Sequence, residues 1–213
     1  MDIEIKELYK IPEDRYEEVY ELFLEAFAEY PKLARVFEDP DRRQIAIEMV
    51  LRFYCPYDFC YGSAYSLDEN IHEAVVLVHS DEMTYDEERM QAAGCYNEAF
   101  EKAKDRLTPE EQKRWWAFFD ELDRQEQQLD IPRPHIYADF LAVRNDMQGQ
   151  GNGSRLLQAV CRYADEQKLP IMLFTNGRKD VEFYLKNGFR IIGVTRSEEL
   201  GLENTYVIYD ENR

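Results

Sequence analysis

The sequence is poor in the residues that most often announce a chemistry. Among 213 residues there are only three histidines and four cysteines, and no spacing among them suits a metal, so no metal site is expected. Cys55, Cys60, Cys95 and Cys161 include no Cys-x-x-Cys pair, and Cys95 and Cys161 read as core-facing helix positions. That is ordinary thiol usage in a reducing compartment, which points to the cytoplasm. No apolar run approaches the roughly 20 residues that span a bilayer. Met1-Asp2-Ile3-Glu4 opens on acids rather than on a basic region and an apolar stretch, so no secretory signal is expected. Basic residues are in deficit as well, with 26 Lys and Arg against 44 Asp and Glu, a formal net charge of −18. Nucleic acid and anionic membrane surfaces both call for a basic footprint, so neither is expected as a partner.

What is present argues for a packed domain. Hydrophobic residues make up 45% of the chain and aromatics 14%, too much for a disordered protein despite the charge. The length fits one domain over 1–213 with an elaboration. The acids are unevenly placed. Residues 1–134 hold 33 acids and 16 bases, whereas residues 135–213 hold 11 and 10 and are nearly neutral. Solvated helical faces are the simplest reading of the excess.

Periodicity predicts the elements. Residues 3–8 alternate as a short strand, Pro12 to Tyr30 repeats its apolar residues at helical spacing, and a second helix runs from Asp39-Pro40 to about Tyr54. Strands follow at Phe59–Leu67 and Ile71–His79, joined by Asp68-Glu69-Asn70. Residues 84–134 form a charged helical insertion, with a start signal at Thr108-Pro109-Glu110-Glu111 and a buried Trp115-Trp116 face. From 135 onward, strands at 135–143, 170–175, 189–196 and 203–209 alternate with helices at 151–168 and 179–187. The chain is thus of α/β class.

The most informative stretch runs from Phe140-Leu141-Ala142-Val143 through Gln148-Gly149-Gln150-Gly151-Asn152-Gly153-Ser154 into a helix. Glycines let a backbone approach a ligand closely, and the free N–H groups at a helix start form an anion site. A Walker loop would need a lysine that is missing here. A dinucleotide fingerprint needs Gly-x-Gly-x-x-Gly hard against the strand; here the third glycine falls one position early and five residues separate Val143 from Gly149.

What matches is Gln148-x-x-Gly151-x-Gly153, which resembles the signature of the GNAT superfamily of acyl-CoA-dependent N-acetyltransferases. Phe183-Tyr184-Leu185-Lys186-Asn187-Gly188-Phe189 is similar to the family's Phe-Tyr-x-x-x-Gly-Phe block. The resemblance implies a GNAT-like fold with a mixed, mostly antiparallel central sheet, splayed central strands and a helical insertion, with residues 135–196 as the acetyl-CoA-binding core. It implies that Gln148, Gly149, Gln150, Gly151, Asn152, Gly153 and Ser154 cradle the coenzyme pyrophosphate. Leu141 and Val143 would offer main-chain bonds to pantetheine, and Tyr184 would protonate the departing thiolate. Asp180 stands where related members often carry an asparagine that reaches the coenzyme, and keeps only an acceptor role; Asn176 lies further upstream.

A base for the amine is sought in Asp139, just ahead of Leu141, or Glu73 in the neighbouring strand. Tyr57, Asp58 and Tyr61 are candidates for the acceptor pocket, two phenols and an acid that would attract an ammonium. The activity implied is transfer of acetyl from acetyl-CoA to the primary amine of a small molecule by direct attack, with no metal. The insertion and the late Leu-Ala-Val strand are most similar to small-molecule enzymes of the antibiotic-modifying, puromycin type. The alternatives are an acyl-CoA-binding sensor without turnover and a peptide or protein N-acetyltransferase. Polyamine, aminoglycoside-like amine, amino acid and peptide N-terminus all stay open as acceptors, and monomer and homodimer are both compatible.

Overall fold

The computed structural model describes residues 3–28, 31–197 and 202–210. Its sheet has seven strands in the order β1-β2-β3-β4-β5-β7-β6: β1 Tyr9–Lys10, β2 Gly62–Ser66, β3 Glu73–His79, β4 Ile136–Val143, β5 Ile171–Thr175, β6 Arg190–Ser197 and β7 Leu202–Tyr209. Every neighbouring pair is antiparallel except β4 and β5. The mixed, mostly antiparallel sheet expected from the sequence is therefore present.

Two helical layers cover it. On one face lie α1 (Tyr16–Ala26), α3 (Pro40–Tyr61), α5 (Glu98–Asp105) and α6 (Pro109–Glu126), whose apolar sides share one core with Ala64, Val76 and Ala142. The short α2 (Pro31–Val36) and α4 (Glu87–Ala92) flank them. On the other face, α7 (Asn152–Gln167) and α8 (Arg178–Lys186) bury Leu156, Leu157, Val160 and Tyr184 against Val75, Leu77 and Ile136. The alternation of β3 explains the division, since successive side chains point to opposite faces. Among the described residues, no helix is long and apolar enough to cross a membrane.

Three expectations are corrected. Residues 3–8 form no strand; Ile3, Ile5 and Leu8 are buried in the second core, and only Tyr9 and Lys10 join the sheet. Their alternation reflects burial against a face rather than a ladder. The helix expected to end at Tyr30 ends at Ala26, and Tyr30 itself lies outside the described residues. The largest difference is at 55–61, expected as a connection and the first residues of a strand and found as the last two turns of α3, which runs straight through Pro56. A proline inside a helix deprives the carbonyl four residues earlier of its donor. Here that carbonyl belongs to Arg52, and the Asn97 side chain supplies the missing N–H at 2.9 Å. Cys95 is buried as expected, but in the turn before α5 rather than in a helix.

Helix α6 starts as its sequence predicts, with Thr108 and Glu111 closing a reciprocal capping box. Trp115 ties it to α3 by donating to the Ala46 carbonyl at 3.2 Å. At its far end, buried Gln125 accepts from Thr195 Oγ1 of β6 at 2.6 Å and from Asn204 Nδ2 of β7, and donates to Glu121 at 2.8 Å. One helix thus bridges the N-terminal layer and the C-terminal strands. Replacing Gln125 by the similarly sized leucine leaves Thr195 and Asn204 short of a partner. We expect a stability loss of roughly 1–3 kcal/mol in urea unfolding; a loss indistinguishable from zero would show that this bridge is dispensable.

Candidate active site

The site begins with a failure of pairing. Strands β4 and β5 are matched only at Ile136 with Ile171 and Tyr137 with Met172. Beyond Tyr137, β4 stays with β3 while β5 stays with β7, and the sheet opens between them. At the same point β4 carries a bulge. Val76 faces Phe140 and Leu77 faces Ala138, so Asp139 is the extra residue. The bulge changes the phase of the backbone. Ile136 sends its N–H toward Pro170 at the foot of β5, whereas Arg144 sends its N–H to His72 on the β3 side. Counting back from Arg144, the main-chain groups of Leu141 and Val143 face the opening.

The loop that follows is built around two glycines and one glutamine. Gly149 and Gly151 have φ of 75° and 85°, the left-handed region in which a Cβ is strained. Gln148 donates through Nε2 to the Val143 carbonyl and to Asn145 Oδ1, both at 3.1 Å, clasping the loop to the strand it leaves. From outside, Glu25 of α1 accepts from the Asn145 N–H at 2.8 Å and pairs with Arg144 at 3.3 Å. Helix α7 then begins at Asn152 with no side-chain cap and no acid in its first turn. Its leading N–H groups and the positive end of its dipole are left for an outside anion. A Cβ on Gly153 would sit 3.3 Å from Val143 Cγ2 and 3.5 Å from the Phe183 ring, so glycine lets α7 pack between β4 and α8.

A cavity of about 1180 Å³ runs from this loop across the open sheet to α6. Gln148, Gly149, Gly151, Asn152, Gly153 and Ser154 line one end together with Leu141, Val143 and Asp180. Gln150 is not part of the wall; its amide donates to the Asp146 carbonyl. Tyr184 borders the cavity, 9% exposed and packed edge-on against Phe183 and Phe189. Burial pushes its phenol well above the ordinary range, so it carries its proton at neutral pH. Burial also raises the Asp180 carboxyl, against a hydrogen bond with Thr175. Asn176 is turned away, donating to the Glu203 carbonyl and to Asn204.

The other end is aromatic and acidic. Tyr54, Tyr85, Trp116 and Phe119 form its walls, and Asp120, Asp123 and Glu126 enter from one side of α6, with Asp139 at the bulge. Three of these carboxyls, those of Asp123, Glu126 and Asp139, are driven upward. Glu126 is pushed to about 7, first by burial and then by Asp123 and Asp139, with Arg133 opposing. Asp123 is raised by burial and by Asp120. Among the described residues no group of three or more His, Cys, Asp or Glu is placed to hold a metal ion.

Several residues expected here stand elsewhere. Tyr57 is buried, and its hydroxyl is occupied by Glu82, Thr84 and Arg89, while Tyr61 lies beneath the Arg89 guanidinium at 3.9 Å; neither lines the cavity. Asp58 is fully buried behind Asp139 instead of facing a ligand. Glu73 is buried and spent on the β2–β3 turn, accepting from Ser66 Oγ at 3.0 Å and the Leu67 N–H at 3.1 Å. The continuation of α3 explains the first three, because a helix running to Tyr61 replaces the connection and strand start expected there. The acids of α6 were not singled out from the sequence. Their signal was that Trp116, Phe119, Asp120 and Asp123 share one helical side, unusual for a purely solvated face.

Residues 114–191 match the family model of the acetyltransferase (GNAT) domain. In three dimensions the chain is similar to a mosquito arylalkylamine N-acetyltransferase-like 5b, with a TM-score of 0.60, 13% identity, and 95% of this chain and 98% of that one covered. It is likewise similar to arylalkylamine N-acetyltransferase 2 from Aedes aegypti, with a TM-score of 0.58, 14% identity, and 96% and 98% covered. A Corynebacterium glutamicum protein described as histone acetyltransferase HPA2 and related acetyltransferase gives a TM-score of 0.58, 16% identity, and 95% and 94% covered. No curated protein matches by sequence. At these identities the structural likenesses establish the fold, which is that of the GNAT acetyltransferases, and the resemblance drawn from the glycine loop holds.

The raised carboxyl of Glu126 has a consequence for stability. In the folded chain it holds its proton up to about pH 7, against 4.5 for an ordinary glutamate. Its contribution to stability is complete below about pH 4.5 and is lost as the pH rises through 7. Glu111, held down to about 2 by Arg42, acts in the opposite sense and only below that window. Glu126→Gln should therefore match the wild type near pH 4.5 and become progressively more heat-stable than it toward pH 8. Melting curves that stay parallel over this range would show that the acid wall is not desolvated.

Proposed function

We propose that this chain with the GNAT acetyltransferase fold transfers an acetyl group from acetyl-CoA to the primary amine of a small, positively charged molecule. The observation that carries the reading is a single cavity with two unlike ends. One end presents uncapped helix N–H groups suited to a pyrophosphate. The other presents aromatic walls and carboxylates suited to an ammonium with an apolar body. Between them, the open β4 edge offers Leu141 and Val143 main-chain groups to a pantetheine arm, in the manner of an added strand. On this reading residues 135–196 hold the coenzyme, and the 84–134 insertion supplies most of the acceptor wall.

The chemistry asks for three things. The thioester carbonyl is polarised by a main-chain N–H of β4, the amine gives up a proton to Asp139, and the thiolate leaving as the C–S bond breaks is protonated by Tyr184. Acetylation removes the charge of the amine, so the acid wall favours the substrate over the neutral amide. A sensor would need only the coenzyme end. Glu73 is given no part, since it lies off the cavity.

Free-thiol release from acetyl-CoA, measured with a panel of mono- and diamines, tests the reading. Tyr184→Phe should lower kcat by about 10²-fold with little change in the KM for acetyl-CoA. Gly151→Glu should abolish acetyl-CoA binding while the fold is retained, because it places a carboxylate at the anion site. Tight acetyl-CoA binding with no amine able to raise thiol release would favour the sensor instead.

A further inference from the structure

Asp58 is the least explained charged residue of the fold. It sits on α3, two residues beyond Pro56, and is 0% exposed. Neither of its carboxylate oxygens accepts a hydrogen bond from an N–H or O–H group among the described residues. Leaving an ionised carboxylate so placed would cost many times what one hydrogen bond returns. Its polar neighbour is a second acid, Asp139, which the β4 bulge turns toward α3 and which borders the cavity. Two carboxyls can join only when one of them carries a proton.

We infer that Asp58 and Asp139 share one proton, and that Asp58 is a positioning residue that donates to Asp139 and holds its free oxygen toward the cavity as the acceptor of the amine proton. The inference rests on the N-acetyltransferase reading above. It assigns a role to an interior acid remote from the coenzyme loop, and explains why α3 passes a proline to place it. Burial raises both carboxyls. The hydrogen bond from Asp58 is the one influence that pulls Asp139 back down. The other titratable groups around the pair are Tyr54 and Cys55 of α3, Tyr85, Cys95, Glu126 of α6 and Tyr137 of β4. None of these groups, among the described residues, is basic. At neutral pH the dyad carries one negative charge and one proton.

The bound ammonium gives a proton to Asp139, making the dyad neutral and the amine nucleophilic. As the nitrogen bonds to the acetyl carbon and the C–S bond breaks, the thiolate takes the Tyr184 proton. The second nitrogen proton restores Tyr184, and the dyad returns its own to solvent. One proton is released per amide formed.

Two variants separate this role from packing. Asp58→Leu removes the donor, so the acid limb of kcat/KM should move up by about one pH unit or more, while Asp58→Asn, which still donates, should bring it back toward the wild type. A merely structural role predicts no movement with leucine. Independently of activity, difference infrared spectra of wild type against Asp58→Asn at neutral pH should show a protonated carboxyl in the wild type alone. An unmoved limb in Asp58→Leu, or no carboxyl difference, overturns the dyad. If the carboxyl difference is present but no amine is acetylated, it is the function reading that fails, and the base role with it.

Discussion

Everything at the site depends on β4 and β5 parting company after two paired residues. A continuous parallel pairing would use the main-chain groups of β4 internally and close the channel between the helical layers. Once the pairing stops, backbone donors and acceptors need other partners, and the sheet loses the ladder that would hold its halves together. The fold replaces that ladder from above and below. On one face α6 spans the gap, fastened at Trp115 to α3 and at Gln125 to β6 and β7. On the other, Gly153 allows α7 to sit close against β4 and α8. The opening is therefore framed on both faces, and the cavity exists because its frame is helical.

The bulge at Asp139 belongs to the same constraint. One extra residue turns the later part of β4 so that Leu141 and Val143, rather than their neighbours, address the gap. It also places a carboxyl at the corner where the sheet opens. The charge of the chain follows this geometry in part. Asp120, Asp123 and Glu126 of the acid-rich half meet the cavity, while many other acids are spent on surface pairs, such as Glu17 with Arg52 and Glu7 with Arg162. Such exposed pairs contribute little to stability, so the solvated-face reading holds for them; on α6 it also holds in part, since Asp120 and Asp123 stay exposed at the cavity and Glu126 is half-buried.

How much of this was legible follows from the range of the interactions. The element order from 135 onward, the glycine loop and Tyr184 are written locally, in periodicity and in motif, and the structure puts them at one end of the cavity. The insertion between β3 and β4 was legible for the same reason. Tyr57, Asp58 and Tyr61 have the chemistry of an acceptor pocket but belong to α3, which continues past Pro56 with the help of the Asn97 amide, 41 positions away from the proline. Glu73 looked available because a strand pattern does not reveal that its carboxylate is used by the next turn. The strand expected at 3–8 was a burial pattern without a ladder. In each case the deciding contact is tertiary, and single-chain periodicity carries no record of it.

The glutamine of the loop signature has a thermodynamic meaning beyond its hydrogen bonds. With Gln148 clasping the strand end and Glu25 gripping Asn145 from the opposite side, the loop takes its shape while the chain folds. Ordering a flexible loop of this length would otherwise oppose binding by about 1–2 kcal/mol per residue. That loss is incurred once, in the folding equilibrium, and no longer subtracts from each encounter with an anion. Recognition at this end is that of a rigid receptor, and its selectivity is set before any ligand arrives.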